Sequence, residues 1–581
     1  MKDLKLVFSF IKPYRKDLIT AVILVFAECV FEMVIPLLMS DIVDIGVAGH
    51  DVGFMLMQGG RMVACALLAL LTGLMYARFA ARAANGFGAE LRLAQYRKLQ
   101  SYDFSNLDHF STPSLVTRLT TDVTVMQNAV NGGLRPFVRS PVMLIMGIGM
   151  AFILDRKLAM VFVIASPILG MALALIVRKV GPLYNRQQRA VDHVNAKVQE
   201  DLTAIRAIKA FVREDYEEQR FDEANRELAE ASLSTFKKAV LNQPVFQLIM
   251  YTTVICIMWQ GGSFILIGSM TVGELTAFLS YVLQVMNSLM MISNVFLMIT
   301  RSLASAKRIR EVLEERPVLH ESKDPIKKVE SGSVDFEKVS FKYSEEAEKY
   351  ALSDIDLHIP EGSTVGIIGG TGSAKSSLVQ LIPRLYDATE GRVLVGGRDV
   401  RDYSISILRD AVGIVLQKNV LFSGTIRENL LWGDPEATDE ELWQALRAAC
   451  ADEFVSRMEK DLDTDLGQGG VNVSGGQKQR LCIARTLIKK PKILIFDDST
   501  SAVDTATEAR IRKALSELSG VTKITIAQRI SSVKEADMII VMEDGRVRAV
   551  GSHRELLTGD EVYREIYESQ MKGGDEDGKD I

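Results

Sequence analysis

Apolar and polar residues are patterned along this 581-residue chain on two length scales. Six long apolar runs occur before about residue 300: Leu18 to Val43, Met62 to Arg82, Pro141 to Leu154 with its flanks, Leu158 to Val177, Val245 to Gly268 and Leu275 to Ile299. Each supplies, alone or with its flanks, the roughly 20 residues of helix that a hydrocarbon core requires. The last three carry no charged residue. The pattern predicts six spans, preceded by a segment, MKDLKLVFSFIKP, whose apolar stripe and stop at Pro13 suit an interfacial helix.

Between the spans, residues 87–139 and 178–243 interleave apolar and charged positions with few breakers, as helices continuing out of a membrane would. These loops are rich in Lys and Arg whereas 45–60 contains none. The positive-inside rule therefore places the loops, both termini and the downstream half in the cytoplasm. Residues 311–333 are charged, contain Pro317 and Pro325, and end in Ser-Gly-Ser, which marks a linker. Beyond it the period shortens, with strand candidates at Val334 to Phe341, Ile355 to Ile359, Thr364 to Ile368 and Met538 to Met542, the last followed by an Asp544-Gly545 hairpin signal. The expected architecture is multi-domain: an all-α six-helix transmembrane domain with long cytoplasmic helix extensions over 1–310, the linker over 311–333, an α/β domain over 334–572, and a charged tail over 573–581 expected to be disordered.

Composition adds limits rather than new elements. A hydrophobic content of 48% fits a chain half in a membrane, and a net charge of −5 gives no support to a nucleic-acid partner. The five cysteines (Cys29, Cys65, Cys256, Cys450 and Cys482) are scattered without a metal-ligand or paired spacing. The first apolar run is too long for a cleavable signal and lacks a small-residue cleavage site, so it is expected to stay in the membrane.

Chemistry-bearing residues stand out in both halves. In the first span Glu28 and Glu32 lie four apart on one helical face, where a carboxylate at membrane depth needs a partner or a wet cavity. They suit either a translocation pathway favouring cations or a packing role. Met286 and Met290 in the last span offer either an adaptable apolar surface to substrate or ordinary packing.

In the downstream half, Thr364 to Ile368 leads straight into Gly369-Gly370-Thr371-Gly372-Ser373-Ala374-Lys375-Ser376, with Ser377 opening a helical pattern. Strand, Gly-rich loop and helix form the context of a phosphate-binding loop, with Lys375 on the β/γ-phosphates and Ser376 on Mg²⁺. The last Gly of the usual motif is Ala374 here. Further on, Val473-Ser474-Gly475-Gly476-Gln477 opens another helix, and the apolar run Ile493 to Phe496 ends in Asp497 and Asp498. Exposed amides at a helix start favour an anion, and a strand ending in carboxylates suits the Mg²⁺ that accompanies a nucleotide.

The phosphate loop, VGIVLQ ending in Gln417, VSGGQ, ILIFDD and SAVD follow one another in the order of an ATP-binding cassette (ABC) nucleotide-binding domain. With six spans ahead of it, the chain resembles an ABC exporter half-transporter of the fused six-span type. That resemblance implies that Tyr343 stacks on adenine, that Gln417 senses Mg²⁺ and the γ-phosphate, and that Asp497 holds Mg²⁺. It implies also that Ser501 and Asp504 of SAVD lie at a dimer seam, and that Val473 to Gln477 act on ATP held by the other chain. Ser114 to Val125 and Glu200 to Tyr216 resemble coupling helices, giving expected coupling regions near 109–125 and 200–216; amphipathic periodicity alone fits any cytoplasmic helix equally.

Three positions depart from the family pattern. Asp498 stands where a Glu general base is expected, Gln528 where a switch His is expected, and Ala374 where Gly is expected. Asp is one methylene shorter, and a misplacement of about 1 Å can cost ~10²-fold in rate. Gln can donate a hydrogen bond but cannot carry a proton as His can. The pattern resembles the degenerate-site subunit of heterodimeric bacterial multidrug-type exporters. It implies a transport ATPase of the cytoplasmic membrane, with ATP and Mg²⁺ as cofactors and small amphipathic or hydrophobic substrates. The expected partner is a homologous half-transporter bearing the Walker B Glu and the switch His. Alternatives are a homodimeric exporter, a lipid or peptide exporter, and an ATP-gated membrane regulator.

Overall fold

The computed structural model describes residues 2–498 and 505–576. The chain divides into two compact units, Met1–Gln100 with Thr112–Glu315, and Ser101–Ser111 with Arg316–Ile581.

The first unit is helical. Its principal helices are α1 (Arg15–Asp41), α2 (Val52–Gln100), α3 (Leu134–Leu154), α4 (Arg156–Thr203), α5 (Glu214–Ala239), α6 (Asn242–Leu266) and α7 (Val272–Glu314). Among the described residues, six helical stretches are long and apolar enough to cross a membrane, as the hydropathy pattern predicts. Helix α2 has 49 residues. At 1.5 Å per residue it is about 74 Å long, more than twice a ~30 Å hydrocarbon core, so most of its polar C-terminal half must extend into water. Helix α4, with 48 residues, obeys the same arithmetic.

Two polar knots pin these helices. At one, Arg135 and Arg139 of α3 both donate to Glu28 Oε1, Arg139 at 2.8 Å, and Arg139 Nη2 also donates to Glu32 Oε2. The residue pairs 28/32 and 135/139 are each four apart, one helical turn, so acidic and basic faces meet in register. Glu28 is buried, and both carboxylates meet guanidinium partners in this arrangement, the packing role that the sequence offered beside a pathway role. At the other knot, Asp44, in the turn of π-helix Ile42–Val47, accepts from Thr271 Oγ1 at 2.6 Å and from the amide of Gly273 at 2.7 Å. A Cβ at Gly273 would lie 2.4 Å from the carbonyl oxygen of Ser40, so only glycine permits this approach. Met286 has no exposed surface and Met290 packs beside it in an apolar cluster with Leu158, Phe278 and Val282. In this arrangement both pack against neighbouring helices.

The hairpin between α4 and α5 carries a short helix, Ile205–Ala210. Buried Lys197 holds its base by bonds to Asp201 at 3.1 Å and to Glu217. Phe211 and Val212 at its end are about four-fifths exposed, at 78% and 80%.

The second unit contains two sheets. One is antiparallel in the order β2 (Leu352–Ile359), β1 (Val334–Phe341), β4 (Glu390–Val395), β5 (Arg398–Asp399). The other runs β10 (Arg546–Gly551), β9 (Met538–Glu543), β3 (Thr364–Gly369), β8 (Thr522–Ile526), β7 (Ile493–Asp497), β6 (Val412–Val415), parallel except for the β10 edge. All five residues of β7 are buried, which explains the apolar run Ile493 to Phe496 that precedes Asp497. Helices α8 (Lys375–Gln380), α9 (Gly475–Ile488), α10 (Thr505–Ser516) and α11 (Glu561–Glu576) complete the frame used below. Helix α11 continues through Glu576, four residues into the stretch 573–576 expected to begin a disordered tail; 577–581 lie outside the described residues.

The segment 101–111 belongs to this unit although it is flanked in sequence by membrane-unit helices. Asp103 caps the short helix Phe104–His109 and accepts from the amides of Val318 and Leu319 at 2.6 and 2.9 Å. Asn106 donates to the carbonyl of Arg316 at 2.9 Å, and Tyr386 OH donates to Asp108 at 2.7 Å. The stretch Ser114 to Val125 falls within the membrane unit. The helix Phe104–His109 opens on an Asp-x-x-Asn capping box, a signal in the sequence that periodicity alone passes over.

Candidate functional site

Parallel strands open a site at their carboxyl ends. Ile526 of β8 pairs with both Ile367 of β3 and Asp497 of β7, and Val415 of β6 pairs with Phe496. That register gathers four sequence-separated segments on one edge: the Gly-rich loop after β3, Asp497 and Asp498 after β7, Gln528 after β8 and Gln417 after β6.

Ala374 adopts φ 65° and ψ 27°, the left-handed region, just before α8. The methyl group carries a conformational cost of about 1–2 kcal/mol there. Gly369, with φ 157°, is required on steric grounds, since a Cβ would lie 2.2 Å from the carbonyl of Met542. Gly370 and Gly372 have open space at their Cβ positions, and Thr371 and Gly372 are exposed, as a loop that wraps phosphate must be. Lys375 Nζ donates to the carbonyls of Gly369 and Gly370 at 2.9 and 2.8 Å and to Ser373 Oγ at 3.2 Å. Burial holds its ammonium below the usual lysine range, and the charges of Asp498 and Asp497 oppose that shift.

Ser376 Oγ donates to Asp497 Oδ1 at 2.7 Å. Burial pushes Asp497 above the usual carboxylate range, the Ser376 bond pulls it down, and neighbouring Asp498 pushes it up again. A cation would relieve that cost. A hydroxyl and a carboxylate oxygen side by side are the hard oxygen donors Mg²⁺ prefers, so the residues fit the ion. Gln417 is exposed on the same edge.

The two unusual residues meet directly: Gln528 Nε2 donates to Asp498 Oδ2 at 2.6 Å. Tyr343 is 48% exposed and hydrogen-bonds Ser377 Oγ at 2.8 Å, which brings a free aromatic surface beside the start of α8. It packs edge-on against Tyr386, with ring centroids 5.3 Å apart. Tyr386 also packs edge-on against Phe104, at 6.0 Å. Thus Tyr343, Tyr386 and the helix Phe104–His109 form a continuous contact chain. Tyr386 was not singled out by the sequence, because an isolated Tyr in a helix-terminal turn carries no motif.

Val473 to Gln477 are built as a separate feature. Ser474 caps α9, its amide bonded to Gln477 Oε1 at 2.9 Å and its hydroxyl accepting from the Gln477 amide at 3.4 Å. Val473 is buried in the helical core with Leu421 and Leu466, while Ser474 and Gly475 are exposed. The capping box leaves the N-terminal amides of α9 facing outward, ready for an anion. Ser501 and Asp504 lie outside the described residues.

Residues 18–289 match the ABC transporter transmembrane region, and residues 352–501 match the ABC transporter family. The chain belongs to the ABC transporters. It is 38% identical to the uncharacterized ABC transporter ATP-binding protein YfiB of Bacillus subtilis (strain 168), over 97% of this chain and 98% of that protein. It is 31% identical to the putative multidrug export ATP-binding/permease protein YgaD of the same organism, over 98% of this chain and all of that one (100%). A solved structure of a bacterial Atm1-family ABC exporter with ATP bound superposes with a TM-score of 0.82 at 26% identity, covering 96% of this chain and 99% of that one. The ABC chain described here is therefore an exporter half-transporter with fused membrane and ATP-binding domains, a multi-pass membrane protein and a transport ATPase. ABC exporters act as dimers, which suits the exposed start of α9 at Ser474 and Gly475.

Proposed function

We propose that this chain is one subunit of a heterodimeric bacterial exporter of small amphipathic or hydrophobic compounds across the cytoplasmic membrane. Its own ATP site retains nucleotide and hydrolyses it slowly. The partner is a homologous half-transporter with Glu after its Walker B Asp and a switch His, and Val473 to Gln477 complete that partner's site.

The observation that carries this reading is the Gln528–Asp498 hydrogen bond. A general base must present a lone pair to the attacking water. Here one carboxylate oxygen accepts from an amide that can neither take nor relay a proton, and the carboxylate stands on a stem one methylene shorter than Glu. By contrast, the binding groups Lys375, Ser376 and Asp497 are mutually arranged for a nucleotide. Mg²⁺, held by Ser376, Asp497 and Gln417, would neutralise charge between the β- and γ-phosphates. Tyr343 offers its open face to adenine. Resemblance to YgaD supports the multidrug substrate class.

Coupling would pass through the helix Phe104–His109, already seated on the ATP-binding unit, and through the exposed Phe211-Val212 tip. Val212 holds φ 52°, a strained value for a β-branched residue, and strain of that kind concentrates at working surfaces.

The deciding experiment is single-turnover hydrolysis at this chain's site in the purified complex after the partner's catalytic Glu has been changed to Gln. Slow hydrolysis with ATP retained is expected. Turnover at the rate of an ordinary ABC site, or normal ATPase activity from this chain purified alone, would end the proposal and favour a homodimer.

A further inference from the structure

The switch loop is held from behind by the C-terminal helix α11. Gln570 Nε2 donates to the carbonyl of Gln528 at 2.8 Å, and Gln570 Oε1 accepts from the amide of Ile530 at 2.8 Å. One side-chain amide thus spans the backbone on both sides of Arg529. Below it, Ile530 is buried in an apolar cluster with Tyr563 of α11, Ile368 of β3 and Ile539 of β9, with Ile566 and Tyr567 packed against them. The backbone carbonyl of the residue that reaches Asp498 is therefore fixed from α11, while its side chain points the other way into the nucleotide site.

We infer that Gln570 is a positioning residue that sets the aim of Gln528 at Asp498, so that the C-terminal helix governs how long this site holds ATP. A backbone carbonyl and an amide two residues apart match the acceptor and donor of a single Gln, and both bonds form only in one placement of the loop. Release of either lets the loop swing, and the Gln528 side chain loses its fixed origin. Asn at this position could not reach both groups. Glu would keep the bond to the Ile530 amide but set a negative charge against the Gln528 carbonyl. The inference rests on the reading of Asp498 and Gln528 as a retaining pair.

The test uses the full-length dimer as purified from membranes, in lipid nanodiscs, with three variants: Gln570→Ala, Gln570→Met and Gln528→Ala. Loss of a partly exposed pair of hydrogen bonds is expected to speed ATP release from this site about three- to tenfold. Met keeps the helix packing but neither bond, so it is expected to behave as Ala; a wild-type release rate in Gln570→Met would show that packing alone matters and would overturn the inference. In a Gln528→Ala background, Gln570→Ala is expected to add nothing further, because both act on one contact. Additive effects would also overturn it. Hydrogen exchange in the peptide containing Ile530 judges the clamp independently of ATP: it is expected to quicken in both Gln570 variants, and unchanged exchange would refute the clamp. If exchange quickens while wild-type release is as fast as from an ordinary ABC site, the clamp stands and the retaining-site reading fails.

Discussion

Gln528 Nε2 and Asp498 Oδ2 lie 2.6 Å apart, so the two residues that depart from the ABC catalytic pattern satisfy one another. Restoring one alone is then expected to disturb the pair without rebuilding a base: Asp498→Glu should raise single-turnover hydrolysis at this site less than tenfold. Asp498→Glu with Gln528→His together should recover on the order of 10²-fold, the scale of a repositioned reacting group. Asp498→Asn should change the rate little. The assay is hydrolysis of bound ATP with the partner's site disabled, and a large loss in Asp498→Asn would mean Asp498 already works as the base.

Ala374 sits in the left-handed region at φ 65°, where Cβ is penalised. Ala374→Gly removes that penalty but adds freedom to the unfolded chain, for a net stabilisation of about 0.5–1 kcal/mol. In thermal unfolding this should raise the ATP-binding domain's midpoint by roughly 1–4 °C, with ATP affinity kept. A drop in stability would show that the methyl's packing on the domain core outweighs backbone strain.

Spans were legible because a membrane demands one long apolar period, and β3, β7 and the Gly-rich loop because phosphate binding fixes residue type and order. Contacts between distant segments were not. The Glu28/Glu32 and Arg135/Arg139 spacings match, yet only the packing of α1 on α3 reveals them as partners. Gln570 and Tyr386 carry no motif, since each acts through one hydrogen-bonding geometry that many sequences could supply. The contacts of segment 101–111 were not legible for a related reason: amphipathic periodicity reports a covered face but does not identify what covers it.

Asp497 is pushed above the usual carboxylate range chiefly by burial. The native protein therefore holds a proton there more tightly than the unfolded chain does, so ionisation costs stability. That cost is absent below the unfolded-state value and fully present once pH exceeds the raised folded value. Asp497→Asn should accordingly stabilise the nucleotide-free protein at neutral pH, with the gain fading as pH falls into the acid range. The same variant should lose the extra stabilisation that Mg²⁺ adds to ATP. Unfolding temperatures measured against pH, with ATP and with or without Mg²⁺, check both signs.

Tyr386 joins the helix Phe104–His109 to Tyr343 by a hydrogen bond at one end and an edge-on ring contact at the other. Burial first, and then the Asp108 bond, hold its hydroxyl above the usual tyrosine value, so it remains a proton donor across the physiological range. Tyr386→Phe keeps the rings and removes the bond. Substrate stimulation of ATPase activity should fall severalfold while ATP affinity stays within about twofold of wild type, a loss in coupling rather than binding. Equal stimulation in the variant would show that the bond carries no signal.

Glu28 is buried and bonded by two guanidinium groups, so its removal should act on the fold before it acts on selectivity. Fully buried pairs broken on one side cost roughly 3–5 kcal/mol. Arg135 and Arg139 retain 44% and 23% side-chain exposure, which reduces the expected cost of Glu28→Gln to about 1–3 kcal/mol. Glu28→Gln with Arg139→Gln removes opposite charges together and should recover part of that loss. Transport of cationic and neutral substrates by the double variant separates the two roles: an interhelical clasp predicts equal effects on both. A selective loss of cation transport at restored stability would return Glu28 to the substrate pathway.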